Sequence, residues 1–149
     1  MEIADLMKMS QSELDELFQK SPAGPIPSGD SNGTAVVWPG TFWSRLIARF
    51  VHDFAWQGKV FTMNPDGKGA TLQNKITVAG VQAIVARVYY TPSWLDGKEC
   101  IVLDYSKTSL FARKIRDEIR LVDEKKRIYL GKVWWGKKRL IDFALEFPK

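Results

Sequence analysis

The sequence predicts an α+β protein, mainly β, built on an antiparallel up-and-down β-barrel of about seven to eight strands with N-terminal helices. Short runs of alternating apolar and polar residues follow one another through the second half of the chain. Asp-Gly and Gly-Lys turn signals separate several of these runs, as they do in β-hairpins. A strongly amphipathic helical pattern precedes them. An open meander of this length would expose two edges, and closing it into a barrel removes them.

The N-terminal part, residues 1–32, is expected to be helical and irregular and to pack on the barrel within a single domain. Residues 10–20 predict a short helix because Ser10 or Ser12 can cap it and acidic residues fill its first turn. Its apolar residues form one stripe: Leu14, Leu17 and Phe18. The following segment, 21–33, is rich in Pro, Gly and Ser and predicts an irregular connector.

Residues 41–56 predict the amphipathic helix, with Thr41 as its cap. Its apolar face is wide and aromatic: Phe42, Trp43, Leu46, Ile47, Phe50, Val51 and Phe54. We expect this helix to cover one mouth of the barrel, because burying one such aromatic contributes roughly 1.5–3 kcal/mol. The alternative is peripheral contact with a membrane, since Arg45 and Arg49 flank the same face.

The strands follow in sequential order. Seven are predicted at 59–63, 70–78, 81–90, 99–105, 115–122, 127–135 and 138–147, and a short eighth strand lies within 33–40. The segment 106–112 has the character of one helical turn. Barrels of about eight strands can enclose one small ligand.

This arrangement resembles the lipocalin and fatty-acid-binding barrels, in which one helix plugs an end. The segment GTAVVWPG contains the residue types of the lipocalin Gly-x-Trp motif, but Gly33 and Trp38 are further apart than in that motif. The segments DGKECIVLDYS, RDEIR and YLGKVWWG are similar to parts of small bacterial and fungal proteins of unknown activity. That second resemblance implies a family but no catalytic residue.

Composition excludes several classes of site. The 149 residues are 45% hydrophobic and 26% charged, which is ordinary for one globular domain. Cys100 and His52 are the only cysteine and histidine, so neither a disulfide nor a His/Cys zinc centre can form within the chain. Because no nucleotide-binding or catalytic motif appears either, we expect no metal and no cofactor. His52 lies on the polar side of the helical pattern and is interpreted as a surface residue.

Charge and aromatic content bear on partners and location. Residues 1–31 carry a net charge of −4, so the remainder carries +9. The segment KVWWGKKRLIDF, 132–143, interleaves two tryptophans with cations and could stack bases or contact lipid, although a hairpin is the commoner explanation. The basic residues form no recognisable nucleic-acid-binding module, so we expect no nucleic acid partner. The chain begins without a signal-like segment, which indicates a cytoplasmic protein.

The stretch from Lys98 to Arg120 concentrates charge within two predicted strands, 99–105 and 115–122. Alternate side chains of a strand point to opposite faces, so some of these charges are expected to face the interior, where they must be paired. The catalytic candidates are Asp104, Tyr105 and Glu118. The ligand-binding candidates are Asn74, Arg87, Tyr89, Tyr105, Arg116, Arg120 and Tyr129.

Two arrangements of the second strand remain open. In the functional one, Arg116 or Arg120 enters a pocket and meets a carboxylate or phosphate. In the other, Ile119 and Leu121 face the core, while the Arg and Glu residues make exposed cross-strand ion pairs.

These observations lead to two hypotheses about function. The first is a barrel that binds a small, largely apolar or amphipathic molecule, with an acidic end expected to meet an arginine. The second is a metal-independent enzyme, of cyclase or isomerase type, that uses Tyr, carboxylate and Arg groups in the same cavity. The two differ in whether a tyrosine and a carboxylate converge within the cavity.

Overall fold

Eight antiparallel strands form a closed barrel in which each strand pairs with its neighbours in the sequence and the first pairs with the last. The computed structural model describes residues 1–36, 56–76, 85–108 and 112–148, and their side chains except those of 56–58 and 74–76. The strands are β1 (Gly29–Val36), β2 (Trp56–Met63), β3 (Ala70–Ile76), β4 (Val85–Pro92), β5 (Glu99–Asp104), β6 (Ile115–Asp123), β7 (Ile128–Trp135) and β8 (Lys138–Glu146). The predicted fold class is therefore confirmed.

The barrel has two open ends, or mouths, and the described residues include a segment that closes only one of them. Strands β1, β3, β5 and β7 end at one mouth, which we call the upper mouth. At this mouth β1 and β3 end and β2 and β4 begin. Residues 37–55, which include most of the predicted 41–56 helix and His52, lie outside the described residues. Trp56, assigned from sequence to the end of that helix, instead begins β2.

The lower mouth is closed by residues 22–28, which we call the plug. The Leu121 N–H donates to the Pro22 carbonyl over 3.0 Å, and the Tyr129 hydroxyl donates to the Pro25 carbonyl over 2.7 Å. Ala23 and Ile26 join the apolar cluster of the barrel interior. An irregular segment can lie here because its carbonyls find donors on the strand ends.

Two helices precede the plug and lie on the outside of the barrel. They are α1 (Ile3–Leu6), which the sequence analysis missed, and α2 (Gln11–Lys20). Ser10 caps α2 and forms a capping box with Glu13, as the sequence pattern predicts. Leu14 and Phe18 are fully buried against the outer surface of β5, β7 and β8. Neither described helix has the length and apolar character needed to cross a bilayer.

Strand β1 begins earlier than the sequence predicts. Its first residues, 29–33, belong to a Gly-, Ser- and Asp-rich segment that favours loops, and the sequence analysis placed them in the irregular connector. In the barrel the start of β1 pairs with β2, at Ser31 with Lys59, and its later part pairs with β8, at Ala35 with Phe143. Barrel closure therefore overrides the local preference of these residues.

The interior is packed closely in its lower half. Phe61 and Phe147 meet edge to face with ring centroids 5.4 Å apart, and Tyr129 packs on Phe147 in the same way at 5.6 Å. The ring of Phe143 lies directly over Gly131, so closely that an added Cβ would come within 2.2 Å of it. Glycine at this position is therefore part of the packing.

We predict that Gly131→Ala lowers the free energy of unfolding by about 1–3 kcal/mol, the usual cost of overpacking a core. Urea denaturation followed by tryptophan fluorescence measures it. Phe143→Leu provides the matched control, because a smaller side chain opposite residue 131 relieves the overlap. The double variant should be more stable than the two single losses added together. Simple additivity would show that the two positions do not compete for space.

Candidate functional site

The charged residues of β6 alternate between the inside and the outside of the barrel. Ile119 and Leu121 pack in the interior, and Asp117 shares their side. Arg116, Glu118 and Arg120 therefore point outward. Neither Arg116 nor Arg120 points into the barrel interior. Ile119 and Leu121 face the core as in the second arrangement, but the outward ion pairs are largely buried, and they lie within β6 or reach the β4–β5 turn rather than crossing between strands.

Arg120 is a structural residue. Its side chain is 1% exposed and makes a bidentate ion pair with Asp96. Both distances between the guanidinium nitrogens and the carboxylate oxygens are 2.8 Å. It also donates to the carbonyls of Phe18, Lys98 and Glu99. These bonds join β6 to the last turn of α2 and to the turn between β4 and β5. All of the guanidinium's N–H-bearing atoms are engaged in this way, so Arg120 is not available to a ligand.

Glu118, a predicted catalytic candidate, binds the first residues of the turn between β4 and β5. It is fully buried, and its carboxylate accepts from the Ser93 hydroxyl over 2.6 Å and from the Trp94 N–H over 2.9 Å. Arg116 binds the same carboxylate over 2.9 Å and stacks on the Trp94 ring with its guanidinium carbon 4.4 Å from the ring centroid. Both oxygens of Glu118 are therefore occupied.

Asp104, the second catalytic candidate, also lies on the outer face. Its carboxylate accepts from the Tyr89 hydroxyl over 2.9 Å, from Arg87 over 3.1 Å and from the Ser106 N–H over 2.9 Å. Burial alone would raise the pKa of Asp104, but the hydrogen bonds from Ser106, Tyr89 and Arg87 outweigh it and lower the pKa to about 2. A carboxylate held in its charged form by three donors is a poor proton acceptor.

These outer residues border a cleft of about 280 Å³. Tyr89 and Trp94 supply aromatic walls, Asp104 lies in its lining, and the cations are Arg113, Lys114 and Arg116. Three of the predicted ligand-binding and catalytic residues, Tyr89, Asp104 and Arg116, thus meet at one place, although on the outside of the barrel. The exposed cations give the cleft a positive character.

Two further candidates lie elsewhere. Tyr129 faces the interior beside the plug, and burial raises its pKa to about 12. The Asn74 side chain lies outside the described residues, but its backbone pairs with Lys59, which faces the interior. The single cysteine, Cys100, is buried under α2, where burial raises its pKa to about 12. A thiol with so high a pKa is unreactive at neutral pH.

The third catalytic candidate, Tyr105, belongs to a buried group inside the barrel that we call the inner polar cluster: Lys59, Tyr105 and Asp117. The Lys59 ammonium lies 2.7 Å from Asp117 Oδ2 and 2.8 Å from the Tyr105 hydroxyl. The Tyr105 hydroxyl donates to the same Asp117 oxygen over 3.1 Å. Three strands therefore converge on one point, because β2, β6 and the end of β5 each contribute one of these side chains.

Lys59 remains charged in this buried position. Burial alone would lower the pKa of the Lys59 ammonium, but the attraction of Asp117 and the contact with Tyr105 outweigh it and raise the pKa above its usual value. The Phe143 ring lies 5.2 Å from the ammonium and adds a cation–π contact. The Ser31 hydroxyl bonds both the N–H and the carbonyl of Lys59 and so fixes the backbone of β2 there.

One carboxylate oxygen of Asp117 has no hydrogen-bond partner among the described residues. Its Oδ2 binds both Lys59 and Tyr105, whereas its Oδ1 is buried and accepts no hydrogen bond from any part of the chain that the structure describes. Two other buried side-chain atoms among the described residues have no hydrogen-bond partner: Trp134 Nε1, which is a donor, and Asp142 Oδ1, which is an acceptor. Both lie on outward-facing positions. An unpaired buried acceptor costs about 1–3 kcal/mol, which a bound donor would recover.

The interior is less completely buried toward the upper mouth than deeper in the barrel. Inward-facing positions toward the upper mouth, such as Ala35, Val133 and Ile141, are only partly buried, whereas Leu72 and Ile101 deeper in the barrel are fully buried. The inward-facing positions of β1 are small: Gly29, Ser31, Gly33 and Ala35. This wall of small side chains takes up little of the interior along the length of β1.

Lys59 and Asp117 are not among the site residues predicted from the sequence, although the sequence pattern contains a signal for both. Asp117 alternates with Ile119 and Leu121, and Lys59 alternates with Phe61, so each charged residue shares a face with core residues. A charge on the apolar face of a strand is the stronger indication of an interior site. Among the described ranges, no three His, Cys, Asp or Glu side chains are grouped to hold a metal ion.

We predict that Arg120→Met lowers the free energy of unfolding by about 3–5 kcal/mol, because it leaves Asp96 and three carbonyls without their donor. Arg87→Met is the matched control, since the Arg87 side chain is 47% exposed and makes a single ion pair with Asp104. Arg87→Met should lower the free energy of unfolding by less than about 1 kcal/mol. Equal small losses in urea denaturation would contradict the structural assignment of Arg120.

The lowered pKa of Asp104 predicts a specific acid sensitivity. The native carboxylate is favoured, so its contribution is fully present above about pH 4 to 5, near the unfolded pKa, and is lost as the pH falls toward about 2. Wild type should exceed Asp104→Asn by about 2 kcal/mol in unfolding free energy at pH 6, and this difference should shrink below pH 4. Asp66→Asn, in an exposed turn, is the control and should follow the wild-type profile. A difference that does not change with pH would refute the assignment.

Comparison with protein-family models, with curated proteins and with solved structures finds no match to this chain. The grounds for a function are therefore the closed barrel, the partly accessible upper half of its interior and the inner polar cluster.

Proposed function

We propose that this protein binds a small, largely apolar molecule inside the barrel, with the polar end of the molecule at the inner polar cluster. The ligand enters through the upper mouth, as in the lipocalin and fatty-acid-binding barrels that the strand order resembles. The observation that carries this proposal is the unpaired Oδ1 of Asp117, a buried acceptor that faces the interior.

In this proposal the two halves of the barrel have different roles in binding: the lower half forms the floor of the site and the upper half holds the ligand. The lower half is filled by Phe61, Phe147 and their neighbours and closed by the plug, so it serves as a floor. The upper half has a wall of small β1 residues and partly accessible positions at Val133 and Ile141. Apolar lining with a few placed polar groups is the usual composition of a small-molecule site.

The charge balance of the cluster favours a ligand that donates a hydrogen bond. The single positive charge of Lys59 is already paired with Asp117, so a second carboxylate would bring unbalanced charge into the interior. A hydroxyl, an amide N–H or a neutral carboxylic acid would satisfy Oδ1 without that cost. An acidic molecule, the ligand expected from the sequence, is therefore proposed in its protonated form.

A metal-independent enzyme of isomerase or cyclase type is the second candidate. The observation that favours it is the convergence of a tyrosine and a carboxylate, since the Tyr105 hydroxyl lies 3.1 Å from Asp117 Oδ2. The participating carboxylate is Asp117 rather than Asp104 or Glu118, and the cation is Lys59 rather than an arginine. Contact of the 41–56 segment with a membrane stays a prediction from the sequence.

We predict that 2-naphthol, an apolar molecule with one hydroxyl donor, binds at least about 10-fold more tightly than 2-methoxynaphthalene, which has none. Tryptophan fluorescence titration and thermal shift measure both affinities. In the double variant Lys59→Met/Asp117→Leu the preference should disappear, because the buried acceptor is gone. Replacing a buried ion pair with apolar residues of similar size generally keeps the fold.

Trp94→Ala is the control for the outer cleft, because it removes an aromatic wall of that cleft and leaves the interior unchanged. Affinity lost in Trp94→Ala but kept in the double variant would place binding in the cleft and contradict the proposal. Absence of any thermal shift with 2-naphthol, 2-methoxynaphthalene or decanoic acid would contradict the proposed ligand class.

A further inference from the structure

The two oxygens of Asp117 face different surroundings, and this asymmetry has the form of an acid–base site. Oδ2 accepts from Lys59 and Tyr105, and Oδ1 accepts from no described group. We propose that Asp117 is a general base that removes a proton from the carbon next to a ketone, and that Lys59 and Tyr105 stabilise the resulting enolate. This inference rests on the proposed binding of a small apolar molecule in the barrel.

The step requires no co-reactant. Asp117 Oδ1 takes a proton from the α-carbon, and the electron pair of the broken C–H bond forms a C=C bond as the carbonyl π bond shifts its electrons to oxygen. The Lys59 ammonium meets the negative charge on that oxygen. The Tyr105 hydroxyl, which donates to Asp117 Oδ2 before the step, turns its single proton to the enolate oxygen once Asp117 is neutralised. Returning the proton to the same carbon exchanges hydrogen, and returning it to the γ-carbon of a β,γ-unsaturated ketone moves the double bond. The substrate class is therefore an apolar ketone with acidic α-hydrogens.

The positions of the three groups fit these roles. The Tyr105 hydroxyl accepts from the Lys59 ammonium over 2.8 Å and donates to Asp117, so a substrate oxygen that takes over the Tyr105 proton lies close to the ammonium as well. Lys59 and Asp117 are only 3% and 4% exposed, which keeps bulk water from competing for the enolate oxygen. Charge development in such a place is stabilised more strongly than in water.

The protonation state of Lys59 agrees with its role. Because its pKa is raised by Asp117 and Tyr105, Lys59 is an ammonium at neutral pH and acts as a donor. The same charge also keeps Asp117 oriented, since it holds Oδ2 and leaves Oδ1 as the oxygen directed to a ligand. Lys59 thus both positions the base and faces the developing charge.

The test uses 2-tetralone, an apolar ketone whose hydrogens at C1 are acidic. Exchange of these hydrogens for deuterium in D₂O, followed by proton NMR, should be faster with the full-length protein than in matched buffer. Asp117→Asn should lower the protein-dependent rate by about 100-fold or more, the usual contribution of a positioned base. Tyr105→Phe should lower it by about 100-fold, as loss of an enolate donor does. Asp66→Asn, the matched change on an exposed turn, should leave the rate unchanged.

Binding is measured separately with 2-naphthol, which resembles the enolate of 2-tetralone in shape and in the place of its oxygen. The Lys59→Met/Asp117→Leu variant guards against misfolding in Asp117→Asn, and a folded double variant should show no exchange above buffer. Binding of 2-naphthol without protein-dependent exchange overturns the acid–base inference and leaves the binding function in place. Absence of both overturns both. Exchange that survives in folded Asp117→Asn or in the double variant also overturns the inference.

Discussion

Burying a charge requires a partner, and the pairing of three buried cations determines how the described parts of this protein fit together. Lys59, Arg120 and Lys132 are each at most 3% exposed within those parts, and each contacts a carboxylate at 2.7–2.8 Å. Each pair joins elements that are distant in sequence. An isolated buried charge would cost several kcal/mol, so these elements are stable only in the arrangement that brings the partners together.

On the outer face of the barrel, Lys132 shows how a buried cation depends on its carboxylate partners. Its ammonium lies 2.7 Å from Asp15 of α2 and 3.0 Å from Asp142 of β8, and it is fully buried. Arg139 adds a second cation to Asp15 at 3.0 Å. Among the described residues, α2 therefore meets the basic strands through specific pairs at Asp15. Lys59 has the same electrostatic requirement inside the barrel, yet its partner keeps one oxygen available.

The sequence predicts the strands of this barrel well because a strand with one buried face alternates with a period of two. It predicts the position of the site less well. Asp117 and Glu118 are adjacent and both buried, one inside the barrel and the other beneath the turn that contains Trp94. When both faces of a strand are covered, polarity no longer distinguishes inside from outside. The cover on the outer face comes from α2 and from turns far along the chain, which no local pattern reveals. For this reason the sequence pattern predicts Arg120 as a ligand-binding residue, although its side chain is structural. The start of β1 is predicted as a loop because its composition favours turns.

The N-terminal segment finds its partners among the last strands of the chain. Gln11 donates to Asp142, 131 residues later, and the plug receives the Tyr129 hydroxyl across 104 residues. The N-terminal segment precedes β7 and β8 in the chain, so its apolar stripe is covered, and the lower mouth is formed, only after those strands have been synthesised. Contacts of such long sequence separation slow folding, because the loop-closure entropy is lost before the contacts form. A chain that ended before Lys138 would lack β8, so β1 and β7 would each have one unpaired edge and the sheet would stay open. Helix α2 would also lose the hydrogen bond from Gln11 to Asp142.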